Sequence, residues 1–172
     1  IGLGSGPNGA LPHAHPGERR IEANELVIVD FGATVGGYRS DCTRTFATGD
    51  LDDELRRIYD VCLEAQEAAL AAVRAEAQGD AVDAVARGRI ARAGYGDRFG
   101  HGLGHGVGLL VHETPTLRPD SEDVLEAGNV VTVEPGIYLP GRGGVRIEDL
   151  VVVTDGEPEV LTGFTKQLVT VG

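Results

Sequence analysis

The chain has 172 residues, 41% hydrophobic and 24% charged, with 27 acidic against 15 basic side chains and a formal net charge of −12. That length suits one domain with a sizeable core, and no run approaches the ~18 apolar residues of a membrane span, so membrane insertion is excluded. The acidic balance repels phosphate backbones and excludes nucleic acid as a partner class.

A Gly-rich entry and the turn-forming PHAHPG at residues 12–17 lead into Leu26–Phe31, an apolar run suited to a buried strand. Gly36-Gly37 turns the chain, and the return from Tyr38 to Thr48 completes a predicted hairpin on which Asp30 and Asp41 face each other. Leu55, Ile58, Tyr59, Cys62, Ala65, Ala69, Leu70 and Val73 recur at helical spacing behind the capping acids Asp50–Asp53. Gly79 is expected to end that helix. Asp80 then caps a second, over Ala81–Ala93, carried by Val82, Val85 and Ile90 and closed by Gly94.

The segment FGHGLGHGVGLLVHE, residues 99–113, holds five glycines and three of the five histidines. Its glycines forbid an ordinary helix, so His101 and His105 do not share a helical face. From Gly128 the pattern turns to β: Asn129–Glu134, Gly136–Tyr138, a Gly-rich turn at 141–144, and Val145–Val153. Glu134 and Glu148 flank that turn, in a coarse echo of the Asp30 and Asp41 hairpin.

Cys42 and Cys62 fall in a predicted strand and a predicted helix and are too few for a disulfide framework, which reads as reduced core thiols and a cytoplasmic protein. The N-terminus lacks a secretion signal, and methionine is absent throughout, so the chain is expected to be a fragment or a truncated or processed product.

Asp30, Asp41, His105, Glu134 and Glu148 sit in five short structured segments, and four carboxylates with one imidazole suggest a two-metal hydrolase. Two divalent cations a few ångströms apart repel unless anionic oxygens lie between them. Taken singly, each residue has a plainer reading. Asp30 can cap a turn, Asp41 can pair with Arg39 or Arg44, Glu148 can pair with Arg146, and His105 can be a satisfied loop histidine. None of these covers all five positions at once.

In chain order, SGPNGALPHAHP, VDFGATVGGYRSDCTRTF, GHGLGHGVGLLVHE, VTVEPGIY and GVRIEDLVVVT resemble the motifs of the M24 metallopeptidases, over about Ser5 to Leu161. PHAHP and the last motif are closer to the proline-specific branch, prolidase and aminopeptidase P, than to the methionine-specific one. The resemblance implies an α+β pita-bread catalytic domain over residues 1–172, truncated at its N-terminus, with the N-terminal domain and first helical pair absent. It implies that Asp30 binds one metal, that Asp41 and Glu148 bridge the pair, and that His105 and Glu134 complete the ligands of the second metal. Mn²⁺ is the expected ion, with Co²⁺ or Zn²⁺ as alternatives.

Glu134, His112 and His101 are the implied catalytic residues, and His13, His101, His112 and Arg146 the implied substrate contacts. The implied reaction is hydrolysis of Xaa-Pro bonds by a bridging hydroxide, in an Xaa-Pro dipeptidase that is a homodimer when intact. The alternatives are an aminopeptidase P acting on longer peptides and a catalytically silent pita-bread binding module. Arg146 either orients Glu148 or binds a substrate carboxylate, and Asp149 faces away from the site by strand alternation.

Overall fold

Residues 1–172 are all described by the computed structural model, a mixed α+β architecture. It opens with β1 (Gly2–Ser5) and a 3₁₀ turn over Gly6–Ala10, followed by β2 (Leu26–Phe31). The predicted return strand is broken in two. A small hairpin, β3 (Thr34–Val35) with β4 (Tyr38–Arg39), is followed after Ser40 and Asp41 by β5 (Cys42–Ala47). Gly36 and Gly37 both have positive φ, 59° and 91°, the backbone that a two-residue hairpin turn requires and that other residues resist. Asp30 pairs with Thr43 and Phe31 with Cys42, so Asp41 lies just beyond the ladder and diagonal to Asp30, not directly opposite it.

Helix α1 (Asp53–Leu70) starts where Asp52 accepts hydrogen bonds from the backbone N–H groups of Glu54 and Leu55, an N-cap among the predicted acids. It stops at Leu70, well short of Gly79. Instead of ending a helix, Gly79 begins α2 (Gly79–Arg92), and Gln78, without a side-chain bond, takes the cap position expected of Asp80. Gly94 follows the helix with φ 95°, as expected. Leu55, Ile58, Cys62 and Ala65 of α1 and Val82, Ala86 and Ile90 of α2 pack into one apolar cluster with Leu103, Val131, Val133, Ile137 and Ile147. Burial of those faces is the main stabilising term of the fold.

The second half contains β6 (Gly104–Gly106), β7 (Glu113–Leu117), β8 (Val130–Val133), β9 (Gly136–Leu139), β10 (Gly143–Arg146), β11 (Asp149–Val152) and β12 (Glu159–Val160). Three strands pair in the order β1-β2-β5, five in the order β12-β11-β8-β6-β7, and β9 pairs with β10. Val133 faces Asp149 and Gly136 faces Arg146, so one antiparallel register runs through the whole hairpin and sets Glu134 opposite Glu148. Between those pairs the ladder opens: the Glu134 amide donates to the Leu103 carbonyl and the Glu148 amide to the Thr43 carbonyl.

Cys42 and Cys62 are buried and unbridged, as the sequence predicts. No helix is long and apolar enough to cross a membrane.

Candidate active site

Strand alternation determines which side chains face the cleft. Residues two apart point the same way, so Thr132 and Glu134 share a face with Arg146 and Glu148, while Asp149 points into the opposite layer as predicted. On the neighbouring sheet Asp30, Thr43 and Asp41 present a common face by the same period. Within the five-stranded sheet, Gly104 of β6 passes so close to the Thr132 carbonyl of β8 that a Cβ there would collide with it, and the His105 amide donates to the Thr132 hydroxyl at 3.1 Å. The resulting cleft has a volume of about 650 Å³ and is lined by all five expected metal-binding residues and by His13, His101, His112 and Arg146. His15 contributes only to a smaller adjoining hollow.

Carboxylate oxygens of Asp30, Asp41 and Glu148 lie within 4.8 Å of one another. His105 Nδ1 donates to the Gly106 carbonyl at 3.0 Å, which turns Nε2 toward Glu134 Oε1 at 3.1 Å and Asp41 Oδ2 at 3.9 Å. The plainer pairings suggested by sequence proximity do not form. Arg39 donates to the Thr34 hydroxyl, and Arg44 pairs with Asp149 at 2.8 Å, so neither pairs with Asp41. Arg146 pairs with Asp30 at 2.7 Å and not with Glu148. Its guanidinium also donates to Thr43 Oγ1, Tyr138 Oη and the Pro12 carbonyl, which leaves one of its five N–H groups.

Glu148 carries the clearest sign of a missing partner. One oxygen accepts from the Thr43 hydroxyl at 2.7 Å, and the other, Oε1, is buried with no hydrogen-bond partner. An unpaired buried carboxylate oxygen costs several kcal/mol, roughly, unless a cation compensates it. Burial, with the charges of Glu134 and Asp41 beside it, pushes the Glu148 carboxyl well above its ordinary value. Burial and the nearby Asp30 and Glu134 raise Asp41 to about 6. Glu134 behaves oppositely: burial favours its neutral form, but the hydrogen bond and charge of His105, with His101 and Arg146, outweigh burial and hold it below the usual carboxylate range. Burial likewise works against a charged His105, yet Glu134 keeps that imidazole above its ordinary value. Four carboxylates thus converge on one imidazole and one guanidinium, a donor set of hard oxygens plus nitrogen that fits divalent ions of the Mn²⁺, Co²⁺ or Zn²⁺ type.

Three residues that the sequence did not single out stand behind the side chains lining the cleft. Thr43 holds Glu148, and the Thr132 hydroxyl donates to Glu134 Oε1 at 3.0 Å. Tyr138 accepts from Arg146 and donates to His101 Nε2 at 2.8 Å, while His101 Nδ1 donates to the Gly102 carbonyl at 2.7 Å. The carbonyl can only accept, so Nδ1 carries a hydrogen, and burial lowers the pKa of the ring. Two-residue alternation from Glu134 was the available signal for Thr132 and Tyr138. His112 is exposed on the rim, its ring 4.3 Å from that of His105. Burial and the charge of His105 lower its pKa.

Residues 2–155 match Metallopeptidase family M24. The chain is 45% identical over 166 residues to an Xaa-Pro dipeptidase of Pyrococcus furiosus, covering 96% of this chain and 48% of that protein. Among solved structures it is similar to an Xaa-Pro dipeptidase from Bacillus anthracis, with a TM-score of 0.97 and 48% identity over 99% of this chain and 48% of the other. An X-Pro aminopeptidase from Thermotoga maritima superposes with a TM-score of 0.95 at 41% identity, again over 99% and 48%. The chain spans about half the length of the curated relatives it matches. A family match over most of the chain, together with superposition on these neighbours, identifies it as an α+β pita-bread protein of metallopeptidase family M24, in the branch of the Xaa-Pro dipeptidases and aminopeptidases P.

Proposed function

We propose that residues 1–172 form the catalytic portion of an Xaa-Pro dipeptidase that holds two divalent metal ions, Mn²⁺ by preference. The observation that carries this reading is the cluster of the Asp30, Asp41 and Glu148 carboxylates, with Glu148 Oε1 buried and without a partner, beside the His105–Glu134 pair. Asp30, Asp41, His105, Glu134 and Glu148 would hold the ions. Bound there, such ions make water acidic enough to supply hydroxide near neutral pH and polarise a peptide carbonyl.

The chain's own residues supply the remaining chemistry. Glu134, held ionised beside His105, is the group suited to accept a proton and return it to the leaving imide nitrogen of proline. His112, on the rim beside His105, is placed to donate to the carbonyl oxygen as negative charge develops there. Arg146 orients Asp30 through the 2.7 Å ion pair, and Tyr138 with His101 forms the wall that backs it. His13 lines the outer cleft, where it can touch substrate.

His112→Ala is expected to leave bound metal per chain unchanged and to lower kcat by about 100-fold, the usual effect of removing one oxyanion donor. Metal analysis alongside steady-state kinetics checks both halves.

A second reading, an aminopeptidase P acting on longer peptides, draws support from the similarity to the Thermotoga maritima X-Pro aminopeptidase. The deciding assay is hydrolysis of Ala-Pro, Ala-Pro-Ala and Met-Ala-Ser by the Mn²⁺-loaded protein, with bound metal quantified in the same sample. Preferred cleavage of Ala-Pro supports the dipeptidase, preferred cleavage of Ala-Pro-Ala the aminopeptidase. A folded protein that binds no metal removes both readings.

A further inference from the structure

We infer that the Asp83–Arg87 pair of α2 is a positioning device that holds the glycine-rich segment Phe99–Leu103 and, through it, the backbone of Glu134. The inference rests on the peptidase reading for its kinetic consequence and on the geometry alone for the rest. Five glycines alternate through residues 99–108, and glycine loses more conformational freedom on ordering than any other residue. The segment has only three residues of strand, Gly104–Gly106, to hold it from within. Its order has to come from outside.

Arg87 supplies it from one side. Its Nη1 donates to the Phe99 carbonyl at 3.0 Å and its Nη2 to the His101 carbonyl at 2.8 Å, while the guanidinium lies 4.3 Å above the Phe99 ring. Asp83 supplies the rest. Its two oxygens bind Arg87 as a fork, at 2.7 and 2.8 Å, and Oδ1 also accepts the Leu103 amide at 3.0 Å. Leu103 is fully buried, and its carbonyl accepts the Glu134 amide at 2.8 Å, one of the two amides that leave the strand ladder where it opens. The side chain of Asp83 therefore reaches the backbone of a cleft carboxylate through a single residue. The next two residues are Gly104 and His105.

An ordinary i,i+4 ion pair on a helix is solvated, touches nothing else and serves only its own helix. This one differs. The Asp83 side chain is 2% exposed, and three of the pair's hydrogen bonds go to another segment. Arg87 remains 28% exposed, so its replacement leaves no sealed cavity.

The test is amide hydrogen exchange of the whole Mn²⁺-loaded chain, with Mn²⁺ affinity and Ala-Pro kinetics measured on the same samples, for Arg87→Ala, Arg87→Lys and Asp83→Asn. In Arg87→Ala, exchange across 99–104 should accelerate at least about tenfold while α1 and β8 keep their protection. Mn²⁺ affinity should weaken by about 10- to 100-fold, the range seen when a group supporting metal ligands is lost. Where the parent cleaves Ala-Pro, kcat should fall more than KM rises. Lysine, a point charge without the fork, should not restore exchange protection.

Asp83→Asn keeps an acceptor for Leu103 and weakens the fork, so it should show a smaller effect in the same segment and stands in if Arg87→Ala does not fold. Unchanged exchange at 99–104, or a uniform rise across the protein with unchanged Mn²⁺ affinity, overturns the inference in favour of a helix-stabilising pair. If the parent cleaves no Ala-Pro, the peptidase reading fails while the exchange data still decide this one.

Discussion

Glu148→Gln is expected to lower metal-dependent turnover at least ~1,000-fold, because on the proposed reading it removes an anionic ligand shared by two ions, and metal-assisted transition-state stabilisation is worth several kcal/mol. Asp41→Ala should do the same, and bound metal per chain should fall in both. Two retained metals with near-parent turnover would sink the bridging assignment. The same glutamine should make the metal-free protein more stable at neutral pH, since it deletes a buried charge that has an unpartnered oxygen and acidic neighbours.

The sign of the pH dependence follows from the raised carboxyls. An acid whose folded value lies above its unfolded one, near ~4, binds more protons when folded. Its favourable contribution is present at low pH and is lost as pH rises through the folded value. For Asp41 that value is about 6, and for Glu148 it lies well above the ordinary one. Unfolding in chelator should therefore show variant and parent nearly equal at acidic pH, with the variant gaining on the order of 1 kcal/mol by neutral pH. Equal stability throughout would show that Glu148 finds a partner in solution.

Asp149→Ala is expected to destabilise the protein by roughly 3–5 kcal/mol, because it leaves buried Arg44 without its counter-charge. The Asp149 side chain is 1% exposed and receives Arg44 at 2.8 Å, Lys166 at 2.9 Å and Gln66 at 3.0 Å. Arg44 in turn donates to the Thr43, Glu148, Phe164 and Thr165 carbonyls, so one guanidinium ties the segment after β12 to the backbone behind the cleft. Adding Arg44→Met to the variant should recover little, since those carbonyls lose their donor. Urea denaturation measures both, and a loss below about 1 kcal/mol for Asp149→Ala would show that Lys166 and solvent compensate.

The elements that the sequence predicted are those governed by local rules. The turn at Gly36 and Gly37 follows from the φ values that only glycine adopts freely, and α1 follows from apolar spacing behind Asp52. The face-away orientation of Asp149 follows from two-residue alternation. The five convergent side chains were legible because acids that end apolar runs, and a histidine among glycines, are costly unless they share a purpose.

Local rules misplaced the start of α2, because Gly79 sits among tertiary contacts that a capping pattern cannot register. They also misassigned the arginines. Arg44 lies near Asp41 in sequence, and Arg146 near Glu148, yet each pairs across the fold, with Asp149 and Asp30 respectively. Thr43, and the bonds that the Asp83–Arg87 pair sends to residues 99–103, stayed silent for the same reason.

By itself the sequence determined which residue types meet, which way each strand faces, and the family to which they belong. Only the tertiary structure decided who partners whom. An ion pair or hydrogen bond between residues a hundred positions apart is selected by sheet register and burial, and those are set by the packing of the whole core rather than by any stretch of chain.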